Sequence, residues 1–194
     1  MATVTSSSKK LVKAKGEAAT ELELKIASEL ETLEKSAGHF KTDLKGLHFT
    51  KASQIEFEGG RKAVVVFVPP PMLKDFRKCQ VPLVQELEKK LGSMQVLLVA
   101  NRTMVPPGLW QRSKMLSGVR PRSRTLKNVQ DSLLDDLLFP TEIAGKRTKV
   151  KTDGSRLLKV ILSKKDQDAN DGKTEGFRTV FKKLTNRDVT FEFA

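Results

Sequence analysis

Lys62-Ala63-Val64-Val65-Val66-Phe67-Val68-Pro69-Pro70-Pro71 joins six consecutive apolar residues, nearly all β-branched or aromatic, to three prolines. Branched and aromatic side chains fit a pleated, buried surface, and an unbroken apolar run of this length reads as a central strand. Proline has no amide hydrogen and cannot extend the ladder, but its fixed φ suits the first turn of a helix. Leu73, Phe76, Leu83, Leu87 and Leu91 then recur at helical spacing up to Gly92, with Pro82 expected to kink or split that helix. Met94 to Ala100 is a second apolar run of strand length. Upstream, Leu47 with Phe49 and Ile55 with Phe57 alternate as a half-buried strand does, and Gly59-Gly60 turns the chain back, which makes a hairpin.

Working outward, residues 1–16 carry Lys9, Lys10, Lys13 and Lys15 among small and polar side chains and are expected as a mobile basic tail. Thr20 with Glu23 forms a capping box, after which Leu22, Ile26, Leu30 and Leu33 mark an amphipathic helix that Gly38 ends. Beyond the second apolar run, residues 101–127 are broken by Pro106, Pro107, Gly108, Gly118 and Pro121 and read as a long loop. Leu126, Val129, Leu133 and Leu137 mark the next helix, with Asp131, Asp135 and Asp136 expected to face away from that stripe. Asp153-Gly154 signals a two-residue hairpin turn before Leu157 to Leu162, and residues 164–172 read as a polar linker. Phe177, Val180, Phe181 and Leu184 suggest a short helix, and Val189, Phe191 and Phe193 a last strand. The expected fold is one α+β domain over residues 17–194, a mixed β-sheet of hairpins with flanking helices and a long basic loop at 101–127.

The charge points to an anionic partner. Lys and Arg number 36 against 23 Asp and Glu, a formal net charge of +13, and the isoelectric point is about 9.9. A membrane is set aside because the longest apolar run is only Ala63 to Val68, and no apolar block follows the first lysines, so no secretory leader is expected and the protein reads as intracellular. The single cysteine, Cys79, can form neither an internal disulfide nor a thiolate zinc site.

Catalytic constellations are weak. Gly172-Lys173-Thr174 copies the end of a phosphate-binding loop, but Gln167 stands where the earlier glycine belongs and no strand precedes it. His39 and His48 lack carboxylates at ligand spacing, Cys79 lies near an apolar helical stripe, and the three aspartates read as a solvated face. No RNA recognition motif is present either, since the chain has no Tyr and one Trp. We therefore expect no enzymatic activity, no cofactor, no metal and no small-molecule substrate.

The basic segments carry the functional signal. Between Asn101 and Lys127 there is no acidic residue, while Arg102, Arg112, Lys114, Arg120, Arg122, Arg124 and Lys127 supply seven positive charges. In an extended segment, alternating Arg120, Arg122 and Arg124 would aim guanidinium forks to one side, and Ser123 and Thr125 could add hydroxyl bonds to phosphate or ribose. If all seven cations met phosphates, the log-log salt slope of binding would be on the order of −5 to −6. Lys146, Arg147, Lys149 and Lys151 form a second candidate surface, while Trp110 either anchors the loop or stacks on a base. The alternative reading is a regulatory interaction module that uses the basic loop to bind an acidic protein.

Several stretches carry a family resemblance: Arg120-Pro121-Arg122-Ser123-Arg124-Thr125-Leu126, Leu133-Leu134-Asp135-Asp136-Leu137, Phe139-Pro140-Thr141-Glu142-Ile143 and Gly145-Lys146-Arg147. With Thr20-Glu21-Leu22-Glu23-Leu24, Lys62 to Pro69, Glu86-Leu87-Glu88-Lys89-Lys90 and Val189-Thr190-Phe191-Glu192-Phe193, they resemble, in order, the eukaryotic small-subunit ribosomal protein seven family. That family is unrelated to the bacterial protein of the same number. The resemblance implies a structural protein of the cytosolic small subunit, bound to small-subunit ribosomal RNA and neighbouring ribosomal proteins. It also implies nucleolar passage with assembly factors during maturation of that RNA, and no catalysis. By position it carries the family's basic motifs onto Arg120, Arg122 and Arg124 and onto Lys146 and Arg147. Isothermal titration with ATP or GTP should give no heat of binding, and heat lost on Lys173→Ala would reverse that expectation.

Overall fold

Two strands can lie parallel only if the chain crosses back between them, and both halves of this protein are built around that requirement. The computed structural model describes residues 9–13, 17–36, 38–57, 60–92, 94–108, 119–170 and 172–193. The chain divides into two compact units, residues 1–101 and 102–194. The α+β class with mixed sheets holds, but the strands form two three-stranded sheets where one sheet was expected.

In the first unit, β2 (Lys62–Val68) is central. It pairs antiparallel with β1 (Lys51–Glu56) from Lys51↔Phe67 to Glu56↔Lys62, and parallel with β3 (Gln95–Ala100) from Ala63↔Gln95 to Val68↔Ala100. Helix α3 (Leu73–Lys90), entered through a 3₁₀ turn at Pro70–Met72, makes the crossover. Pro82 does not split it: the helix is continuous, and the ring lies on the exposed side, opposite buried Phe76, Cys79, Leu83 and Leu87. Helices α1 (Glu21–Ser36) and α2 (Gly38–Asp43) complete the unit, so Gly38 opens a second short helix where only a stop was expected. Ile26, Leu30, Leu44, Phe49, Val64, Val66, Leu83, Leu87 and Leu98 belong to one buried cluster. Leu47 and Phe49 precede β1 rather than join it.

Part of the stretch read as a mobile tail is packed. Leu11 forms a parallel bridge with Phe49, and the amides of Val12 and Phe49 donate to the carbonyls of Phe49 and Lys10 at 3.0 and 2.9 Å. Lys10 is only 4% exposed, and its Nζ donates to the Leu44 carbonyl at 2.5 Å and pairs with Glu34 at 2.8 Å. Lys13 reaches Glu23 at 2.5 Å and the Ala18 carbonyl at 2.7 Å. Composition alone missed this because the lysines are matched by carboxylates distant in sequence.

Glu23 is the hub of that clamp. The capping box forms, with the Thr20 amide donating to Oε2 at 2.8 Å, and the Ala52 amide donates to Oε1 at 3.1 Å, which ties α1 to β1. Burial pushes this carboxyl upward, but Lys13 and the amides of Thr20 and Ala52 outweigh it and hold the group below its ordinary value.

The second unit repeats the connectivity. Its central strand β5 (Arg156–Leu162) pairs antiparallel with β4 (Ile143–Val150) and parallel with β6 (Asp188–Phe193). Helix α4 (Leu126–Leu138) precedes the hairpin, and α5 (Gln167–Asn170) and α6 (Thr174–Thr185) lie in the crossover. Leu134, Leu137, Leu138, Val160, Leu162, Val180, Phe181 and Val189 are buried, and Phe177 meets Phe191 edge to face with ring centroids 6.2 Å apart. The 164–172 stretch is more ordered than a linker, because buried Asn170 donates to the Thr141 hydroxyl at 2.6 Å and the Asp166 carbonyl at 2.8 Å. The hairpin turn has three residues, Thr152 to Gly154, and not two: the Lys151 amide donates to Ser155 O at 2.9 Å and the Gly154 amide to Lys151 O at 3.0 Å. Gly154 takes φ +78°, which closes such loops.

Asp136 corrects the reading of α4. It is 3% exposed and so does not face away from the core. The Arg102 guanidinium grips it with both arms, Nη1 on Oδ2 and Nη2 on Oδ1, the latter at 3.4 Å. The buried stripe is rotated toward Val129, Gln130, Leu134 and Leu137, leaving Leu126 exposed.

Removing one member of a buried pair strands the other. Arg102→Ala should therefore cost about 3 kcal/mol in urea unfolding, and Arg102→Met with Asp136→Leu should recover much of it. Glu23→Ala should also cost about 3 kcal/mol, combining a lost cap with an unpaired lysine. Because Glu23 is depressed when folded, its contribution is complete above the ordinary value of 4.5 and is lost as pH falls from there through the lower folded value. The stability difference between the native chain and Glu23→Gln should narrow across that range.

Candidate nucleic-acid interface

The expected basic residues fall into three groups. Arg112 and Lys114, with Trp110, lie outside the described residues. Arg102 is committed to Asp136. The others occupy a turn before α4, the first turn of α4 and the β4–β5 hairpin.

The turn is not the extended segment the alternation suggested. Residues Arg122–Arg124 form a single 3₁₀ turn between extended Pro121 and Thr125. At about 120° per residue, positions two apart point roughly 240° around the axis from each other, so Arg122 and Arg124 do not share a side. Arg122 O accepts the Thr125 hydroxyl and the Asn128 amide, each at 2.6 Å. The hydroxyl assigned to phosphate or ribose thus closes its own turn. Arg120 is half-buried, its Nη2 on Arg124 O at 3.3 Å and its buried Nε without a hydrogen-bond partner among the described residues. Arg122, Arg124 and Lys127 are exposed.

The hairpin presents its charges by strand parity. A bulge between Ile143 and Gly145 sets the register so that Arg147 faces Lys159, Lys149 faces Leu157, and Lys146 faces Val160. Residues on alternate positions occupy opposite faces, so Arg147 and Lys149 share one face with Lys159, and Lys151, just past β4 with its amide on Ser155 O, continues that alternation, while Lys146, Thr148, Val150 and Arg156 take the other. The second face carries buried Val160 and Leu162 further along β5. All of residues 146–156 are exposed, and β6 begins only opposite Leu157, so the tip is a two-stranded ribbon. Lys159 and Arg156 were missed as site residues, although the hairpin register would have placed them beside the named cations.

Carboxylates divide these cations into held and free. Lys146 meets Asp135 of α4 at 2.7 Å and Lys159 meets Glu192 of β6 at 2.6 Å. Asp188 is held below its ordinary value by Lys182, 2.8 Å away, with smaller contributions from Arg178 and Lys151. Among the described residues, Arg122, Arg124, Lys127, Arg147, Lys149 and Lys151 make no ion pair. Helix α4 connects the two groups: the arginine turn enters its first residue and Asp135 holds Lys146 near its end. At about 1.5 Å per residue, that spacing is roughly 15 to 20 Å.

The remaining chemical candidates do not assemble. Cys79 is buried, and burial raises its thiol above the ordinary value, with nearby Asp43 and Asp75 adding to the shift. Gly172-Lys173-Thr174 enters α6 from the one-turn helix α5 rather than from a strand. Among the described residues, no group of three or more His, Cys, Asp or Glu is placed to hold a metal, and no helix is long and apolar enough to cross a membrane.

The chain is 45% identical over 185 residues to the small ribosomal subunit protein eS7 of Schizosaccharomyces pombe, covering 95% of this chain and 93% of the relative. The protein of the same name from Drosophila melanogaster is 46% identical over 184 residues, covering 95% and 94%. The Arabidopsis thaliana protein eS7z is 42% identical with the same coverage. A family profile described as ribosomal protein S7e matches residues 10–193, a span that runs from the packed Lys10 through both sheets, and the chain belongs to that family.

Proposed function

We propose that this chain is a structural, non-enzymatic constituent of the small subunit of the cytosolic ribosome. In this role it binds small-subunit ribosomal RNA, meets neighbouring subunit proteins, and supports RNA maturation and subunit assembly. The observation that carries this reading is the set of exposed cations on the turn before α4, at the start of α4 and on the β4–β5 hairpin that make no ion pair among the described residues, in a chain whose relatives are named as small-subunit proteins. Unpaired surface cations release counterions when they meet phosphates, which supplies affinity without sequence selectivity.

Arg122, Arg124, Lys127, Arg147, Lys149 and Lys151 are the direct contacts in this proposal, with Arg112 and Lys114 as further members. Arg120, Arg102 and Lys146 shape the surface, through Arg124 O, Asp136 and Asp135 respectively. Passage through the nucleolus with assembly factors follows from a role in maturation.

The test is sedimentation of the tagged chain in sucrose gradients. It should travel with small subunits and leave those fractions after ribonuclease. Replacing Arg122, Arg124, Arg147, Lys149 and Lys151 with Gln should reduce incorporation about tenfold or more and accumulate unprocessed small-subunit RNA. Co-sedimentation at the native level would overturn the assignment, and binding that survives complete ribonuclease digestion would favour an acidic protein partner.

A further inference from the structure

The hairpin carries more information than a basic cluster, because its register separates charges that composition only counts. Resting on the RNA reading above, we infer that one face of the β4–β5 arm is a phosphate ladder. Arg147, Lys149 and Lys151 each engage one of three successive phosphates of a single RNA strand, and the opposite face stays off the backbone.

Residues two apart along a strand stand about 6.8 Å apart on the same face, a spacing that suits neighbouring phosphates on one nucleic-acid strand. All three are exposed and make no ion pair among the described residues. On the far strand of that face Glu192 is engaged with Lys159 and Asp188 with Lys182, Lys151 acting on Asp188 only as a smaller, more distant charge. Arg147 also sits directly opposite Lys159 in the register, and like charges across an antiparallel pair are destabilising. A bound phosphate relieves that repulsion. The other face differs in kind: Lys146 is held by Asp135, Val150 is 61% exposed, and Arg156 is the cation there that makes no ion pair among the described residues. The ribbon beyond Leu157 has no third strand beside it, so a polynucleotide can run along the ladder past the end of the sheet.

The experiment measures binding of the full-length chain to refolded small-subunit ribosomal RNA by filter retention across a salt series. Arg147→Gln with Lys149→Gln and Lys151→Gln should flatten the log-log salt slope by about 2 to 3 and weaken low-salt binding about ten- to hundredfold. Arg156→Gln on the other face should change affinity less than about threefold. Arg147→Lys with Lys149→Arg keeps the charges and should bind like the native chain, and an unchanged urea midpoint in each variant shows that the fold is intact.

Equal losses from both faces would overturn the one-sided ladder in favour of an arm inserted between two backbones. A ladder variant with the native slope, while Arg122→Gln with Arg124→Gln loses affinity, would overturn the ladder and leave the RNA reading standing. An intact chain whose binding shows no salt dependence would remove both.

Discussion

The central strands β2 and β5 each have one antiparallel and one parallel neighbour, and this single constraint organises the molecule. An antiparallel neighbour costs only a turn, whereas a parallel one obliges the chain to cross the sheet, and here each crossing contains a helix. The sequence helix, hairpin, helix, strand is thereby written twice, once in residues 1–101 and once in residues 102–194. The apolar content of Val64 to Val68 and of Val160 to Leu162 follows from the central position those strands hold.

Much of this could be read from local pattern. The run before Pro69, the Thr20–Glu23 cap, the helix before Gly92 and the strand from Val189 each announce themselves within a few residues, because cap, period and breaker are local signals. What could not be read depended on partners far along the chain. Lys10 looks like a tail lysine until Leu44 and Glu34 come to it, and Asp136 looks like a surface acid until Arg102 does. The division of strands between two sheets is likewise non-local, since pairing is not encoded in any one strand. Of the candidate site, the residue types were legible but not their geometry. Alternation of arginines around Pro121 suggested extension, yet Asn128 and Thr125 fold the segment into a turn through Arg122 O.

Net charge alone is a poor guide to where a basic protein meets its partner. In the second unit the acidic residues act as a sorting device: Asp136 and Asp135 take Arg102 and Lys146, and Glu192 and Asp188 take Lys159 and Lys182. The exposed pairs contribute little to stability. Their larger effect is to sort neighbouring cations, holding Lys146, Lys159 and Lys182 while Arg147, Lys149 and Lys151 beside them make no ion pair among the described residues.

The bulge beside Ala144 has an evolutionary consequence. Ile143 pairs with Leu162, but after the extra residue Gly145 pairs with Ile161, and every later position of β4 is shifted by one. The extra residue lets Ile143 and Lys146, three positions apart, both lie on the side of Val160 and Leu162, and deleting it would leave Gly145 opposite Ile161 and Arg147 opposite Lys159. The gene can therefore exchange one cation for another along this strand, and even loss of the bulged codon would straighten β4 without turning Arg147 and Lys149 off their face.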